Sequence, residues 1–140
     1  MSDRSREAIA QVPLFSSLSP RDVKRLASLT EEQRFMSDAT VVKEGEIGDT
    51  FYVIMEGEAK VVNGAGRVVN RLYPGDIFGE ISLMDGGART ASVVAETPLT
   101  ALALRRKDFM KMLQLEPSVS VKLLQHTAGL LRQLERSRTK

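Results

Sequence analysis

The hydrophobic period of this chain changes twice, and that change limits the folds open to it. Before Glu32 and after Arg105 apolar residues recur at helical spacing. Between them lie short runs of β-formers separated by glycine-bearing turns. The spacing predicts strands at Gln33–Met36, Thr40–Lys43, Thr50–Glu56, Glu58–Val62, Arg67–Leu72, Ala91–Ala95 and Leu99–Leu104. In Thr50–Glu56, Phe51, Val53 and Met55 fall on one face and Tyr52 and Ile54 on the other. Asn63-Gly64-Ala65-Gly66 suits a hairpin loop. At least seven short strands with such turns point to a sandwich or a jelly-roll barrel. Gly45, Gly48, Gly57 and Gly75 recur at the turns and read as structural.

The flanks are helical. Arg4–Gln11 reads as a short helix that Pro13 ends, because proline disfavours helix at Val12. Ser19 is an N-cap with Pro20 at the first helical position, and the helix runs to about Leu29. Lys107–Leu115 sets Phe109, Met112 and Leu113 on one face. Pro117 opens a last helix to about Arg136, roughly 30 Å long. Its apolar stripe is wide enough to pack on the β-core and to offer a dimer seam. The basic tail Arg136–Lys140 is expected to fray.

At 140 residues the chain has the size of one domain with a real core. No apolar run approaches the roughly 18 residues of a membrane helix, and no signal-peptide core follows Met1. Cytoplasmic localisation is the expectation. Without cysteine there is no disulfide or thiolate chemistry. His126 is the only histidine, which argues against a metal-dependent cupin on a similar scaffold, and no metal is expected. A net charge of +2 gives little support to direct nucleic-acid binding. No acid–base pair or activated nucleophile stands out, so an enzyme is not expected.

Chemistry concentrates between Gly75 and Val93. An extended approach, Pro74–Phe78, runs into one helical turn near Gly79. A helix start carries unpaired N–H groups and partial positive charge, and a glycine there admits a phosphate close to the backbone. Arg89 adds a planar fork of donors that matches phosphate oxygens. Glu80 is repelled by a phosphate, so it is assigned to a sugar hydroxyl. Singly, Glu80 reads as a helix-dipole partner, Arg89 as a surface ion pair and Gly86-Gly87 as an ordinary turn. In this order they point to a nucleotide whose phosphate is tied back to its own ribose.

The stretch Phe78-Gly79-Glu80, Ser82-Leu83 and Arg89-Thr90-Ala91 resembles the phosphate-binding cassette of cyclic-nucleotide-binding domains. These occur in protein kinase A regulatory subunits, cyclic-nucleotide-gated channels and the bacterial catabolite activator protein. Ala88 departs from the proline that many members carry before the arginine. The resemblance implies a mainly β fold with flanking helices (α+β). It would be an antiparallel β jelly-roll barrel with an N-terminal helical segment, a short phosphate-binding helix and two C-terminal helices. The single domain, 1–140, would divide into helices at 1–31, a barrel at 32–105 with its cassette at 75–93, and helices with a lid at 106–140. The implied ligand contacts are Phe78, Gly79, Glu80, Ile81, Ser82, Arg89, Thr90 and Ala91. Glu80 would hold the ribose 2′-hydroxyl, and Arg89 and the amides near Gly79–Leu83 the cyclic phosphate. His126, Leu130, Leu131 and Leu134 are the candidates for a lid that caps the base.

The function implied is a sensor that binds cAMP reversibly and signals by moving its helices to an effector protein or domain. Homodimerisation would use the C-terminal helix. A hydroxyl at Thr90 serves cAMP responders and also suits the 2-amino group of guanine, so cGMP stays open. The other readings are a DNA-binding regulator cut before its helix-turn-helix and a degenerate interaction module that binds no ligand.

Overall fold

A computed structural model describes residues 3–138; Met1, Ser2, Thr139 and Lys140 lie outside it. The chain opens with helix α1 (Asp3–Ala10), a 3-10 turn (Pro13–Phe15) and helix α2 (Pro20–Leu29). The cap expected at Ser19 is made: its Oγ accepts from the Asp22 amide at 3.2 Å, with Pro20 opening the helix. Strands β1 (Glu31–Phe35), β2 (Thr40–Val42), β3 (Thr50–Glu56), β4 (Ala59–Val62) and β5 (Val68–Leu72) follow. Then come β6 (Ile77–Phe78), helix α3 (Glu80–Asp85), β7 (Ser92–Ala95) and β8 (Leu99–Arg105). Helices α4 (Arg106–Leu115) and α5 (Pro117–Arg138) complete the chain. The expected fraying of the basic tail does not begin at Arg136, since α5 continues to Arg138.

The strands form two antiparallel sheets of four, ordered β1-β8-β3-β6 and β2-β7-β4-β5. This is the double-sheet arrangement of a jelly roll. The two hydrogen-bonded ladders do not join into one closed barrel. The strand β6 falls within the extended approach read at Pro74–Phe78, though two residues carry no periodic signal to mark it as a strand.

Period-two alternation divides the core. Tyr52 and Ile54 of β3 and Leu99, Ala101 and Ala103 of β8 meet Ala59, Leu72, Val93 and Ala95 of the second sheet. The intervening Phe51, Val53, Leu102 and Leu104 face the other way and pack with the helical residues Ile9, Phe15, Leu26, Phe109, Met112 and Val119. Strands β3 and β8 are therefore buried on both faces. Phe51 and Phe15 meet edge to face, with ring centroids 5.9 Å apart. Helix α5 is anchored by Val119 and Leu123, and its later apolar residues are exposed. No helix among the described residues is long and apolar enough to cross a membrane.

Candidate functional site

The cassette is placed by one strand pairing and one buried leucine. Phe78 pairs with Tyr52 and Ile77 with Val53, which fixes β6 against β3. The rings of Tyr52 and Phe78 stack at 4.8 Å. Gly79 then takes φ 85°, a left-handed conformation that a side chain opposes, and caps α3. Leu83 is fully buried and holds α3 on the helical side of the core. At its far end the Gly86 amide donates to the Ser82 carbonyl at 2.8 Å.

The chain returning from α3 is laced to residues 45–48. The Gly48 amide donates to the Gly87 carbonyl at 3.0 Å. The Arg89 amide donates to Glu46 at 2.8 Å, and the Gly45 amide to Arg89 at 2.9 Å. Ala88, in the position where proline was noted as common, makes a β-bridge with Ile47. This lacing directs the Arg89 side chain inward, where it is only 8% exposed.

The Arg89 guanidinium is half satisfied. Its Nη2 donates to the Thr50 carbonyl at 2.8 Å. Its Nη1 is buried without a hydrogen-bond partner, and no carboxylate among the described residues forms an ion pair with it. Burial pushes its pKa down, against the opposing influence of Tyr52 and Asp49. Two glycines make room for the group. A Cβ on Gly79 would sit 2.6 Å from Nη1, and one on Gly48 would sit 2.7 Å from Nε. Gly48 reads from the sequence as a structural turn glycine. It does also clear the space of Arg89, and only the folded loop reveals this.

Glu80 presents the complementary need. Its Oε2 is buried and lacks a donor. The first amides of α3, at Glu80, Ile81 and Ser82, have no carbonyl one turn earlier in the helix to bond. A buried cationic N–H group and a buried acceptor atom left without partners are costly unless a ligand completes them.

Both orphaned atoms belong to residues lining one cavity of about 210 Å³. Phe78, Gly79, Glu80, Ile81, Ser82, Arg89, Thr90 and Ala91 all line it. Ile81 and Thr90 are the exposed residues among these eight. The rest of the wall is Val42, Val61, Asn70, Leu72, Ile77 and Val93. None of the six was named as a contact: Ile77 and Val93 flank the named residues within 75–93, while strand register and not sequence proximity brings in Val42, Val61, Asn70 and Leu72. His126, Leu130, Leu131 and Leu134 do not line the cavity. His126 is half-buried, and the three leucines lie exposed on the outer half of α5. Among the described residues no three His, Asp or Glu side chains group as a metal site. The cavity thus offers a cationic fork, a carboxylate, helix amides and an apolar wall, which together accept an anion, a hydroxyl and a flat ring.

A profile of the cyclic nucleotide-binding domain matches residues 32–116. The chain belongs to that family. This cyclic nucleotide-binding domain is 35% identical over 106 residues to a cAMP-dependent protein kinase regulatory subunit of Colletotrichum orbiculare. The match covers 75% of the chain and 27% of the regulatory subunit, so the domain spans about a quarter of that relative's length. It is 31% identical to the cyclic AMP receptor protein of Thermus thermophilus, over 88% of the chain and 59% of the relative. The crystal structure of the N-terminal domain of a transcriptional regulator from Streptomyces coelicolor superposes with a TM-score of 0.84. That likeness has 31% identity and covers 94% of each chain.

Proposed function

We propose that this domain is a reversible cAMP sensor. The observation that carries the reading is the pair of orphaned atoms, Arg89 Nη1 and Glu80 Oε2, in one cavity of a cyclic nucleotide-binding domain. Arg89 takes the cyclic phosphate, assisted by the α3 amides, and Glu80 accepts from the ribose 2′-hydroxyl. Phe78, Gly79, Ile81, Ser82, Thr90 and Ala91 complete the contact surface. The printed names of the relatives, cAMP-dependent kinase regulatory subunit and cyclic AMP receptor protein, support cAMP. Thr90 keeps cGMP as the second reading, since its exposed hydroxyl lines the cavity and matches a guanine 2-amino group.

The domain binds its ligand and releases it unchanged; the relatives named as regulatory subunit and receptor support that reading. Signalling follows from differential affinity. Ligand favours the conformer in which α5 closes, bringing His126, Leu130, Leu131 or Leu134 over the base, and an effector outside this domain responds. The exposed leucines of α5 also offer a surface for a second copy. Calorimetric titration of the ligand-stripped protein with cAMP, cGMP and non-cyclic AMP tests the proposal. Tight cAMP binding with weaker cGMP and AMP binding is expected. Failure of both cyclic nucleotides to bind would overturn it.

A further inference from the structure

A single row of residues crosses the second sheet along one wall of the cavity. Val42 of β2 pairs with Val93 of β7, Val93 pairs with Val61 of β4, and Val61 pairs with Asn70 of β5. All four line the cavity. Three valines in register make a smooth apolar strip, and Asn70 ends it with an amide. Asn70 shares a strand face with Leu72, two residues on, which also lines the cavity. It is the one amide side chain in a wall that is otherwise apolar outside the cassette.

Asn70 lies on the exposed part of the edge strand β5, and one backbone contact orients its amide. Asn70 Oδ1 accepts from the Arg71 N–H at 2.9 Å, which assigns oxygen and nitrogen. A carbonyl oxygen has two lone pairs, so Oδ1 keeps one acceptor site, and Nδ2 brings two donors. An acceptor beside a donor on a planar amide complements the N6 amino group and N7 of adenine. Guanine places an acceptor, O6, where adenine has N6, and two acceptors then face each other.

Resting on the reading of the cavity as a cyclic-nucleotide site, we propose that Asn70 determines base specificity. The purine lies on the Val42–Val93–Val61 strip with its N6/N7 edge at Asn70. Oδ1 accepts from N6–H and Nδ2 donates to N7. Asn70 therefore favours cAMP over cGMP, and Thr90 is not the residue that decides.

Titrations of the wild type, Asn70→Ala and Asn70→Asp with cAMP, cGMP and 7-deaza-cAMP test this. The wild type should bind cAMP on the order of tenfold or more above 7-deaza-cAMP, which lacks the N7 acceptor. In Asn70→Ala that ratio should fall to about one and the cAMP preference over cGMP should shrink. Asn70→Asp keeps acceptors and loses the donor, so it too should lose the N7 dependence. The wild-type ratio needs no variant, so a folding failure leaves it standing. Equal wild-type affinity for cAMP and 7-deaza-cAMP, or unchanged ratios in both variants, would overturn the role of Asn70 while leaving the site reading intact. No binding of any cyclic nucleotide by the wild type would overturn both.

Discussion

A methyl group on Gly79 would stand 2.6 Å from Nη1 of Arg89 and 2.7 Å from the Thr50 carbonyl that the same arginine binds. The glycine is thus the space into which the guanidinium fits, and its φ of 85° is a second reason for its lack of a side chain. Gly79→Ala should lose about 1–3 kcal/mol of stability from backbone strain and contact. It should also lose nucleotide affinity beyond that of an equally destabilised variant elsewhere. Urea unfolding and calorimetry on the same preparation separate the two effects.

Arg89→Ala removes the cation and its bond to Thr50. Truncating one partner of a buried, hydrogen-bonded charge pair costs about 2–5 kcal/mol, roughly 30-fold to several thousandfold in affinity. The circular dichroism spectrum should stay native, because the Arg89 backbone bonds to Glu46 and Gly45 remain. Arg89→Lys should recover only part of the loss, since a lysine lacks the planar fork.

Glu80→Gln keeps the size of the side chain and removes its charge. Its affinity for cAMP should fall roughly tenfold. The same variant should bind 2′-deoxy-cAMP about as well as the wild type does, because the hydroxyl it would hold is absent. Additive losses from the variant and the analogue would detach Glu80 from the ribose.

Leu83 is fully buried on the inner side of α3. Leu83→Ala should cost about 2–5 kcal/mol in denaturant unfolding. With its anchor shortened, α3 should hold its amides less firmly, so affinity should fall as well while the ligand contacts themselves are unchanged.

Much of this architecture was legible in the sequence where the signal is local. Ser19-Pro20 marks a helix start whose cap forms as read. The alternation Phe51-Tyr52-Val53-Ile54 separates the two cores to which those residues go. Gly79, Glu80 and Arg89 lie within eleven consecutive residues, and one short helix with the loop after it brings them to one cavity. The valine row and Asn70 were not legible, because residues 42, 61, 70 and 93 meet only through the register of four strands. Gly48 was hidden for the same reason: its neighbours Ser82 and Arg89 are distant in sequence. On α5 the apolar stripe was visible, but not which part of it packs. Val119 and Leu123 are buried while Leu130, Leu131 and Leu134 are left in solvent.

The most direct test of the central claim is nuclear magnetic resonance of the arginine side chains during a cAMP titration, with Arg89 assigned by the Arg89→Lys variant. Arg89 Nη1 is buried without a protein hydrogen-bond acceptor, so its N–H signals should respond when a ligand supplies one. On saturation with cAMP they should shift, and the ligand phosphorus signal should move in step. Saturable binding of cAMP with the Arg89 side-chain signals unchanged would contradict the assignment of this cavity to the cyclic phosphate.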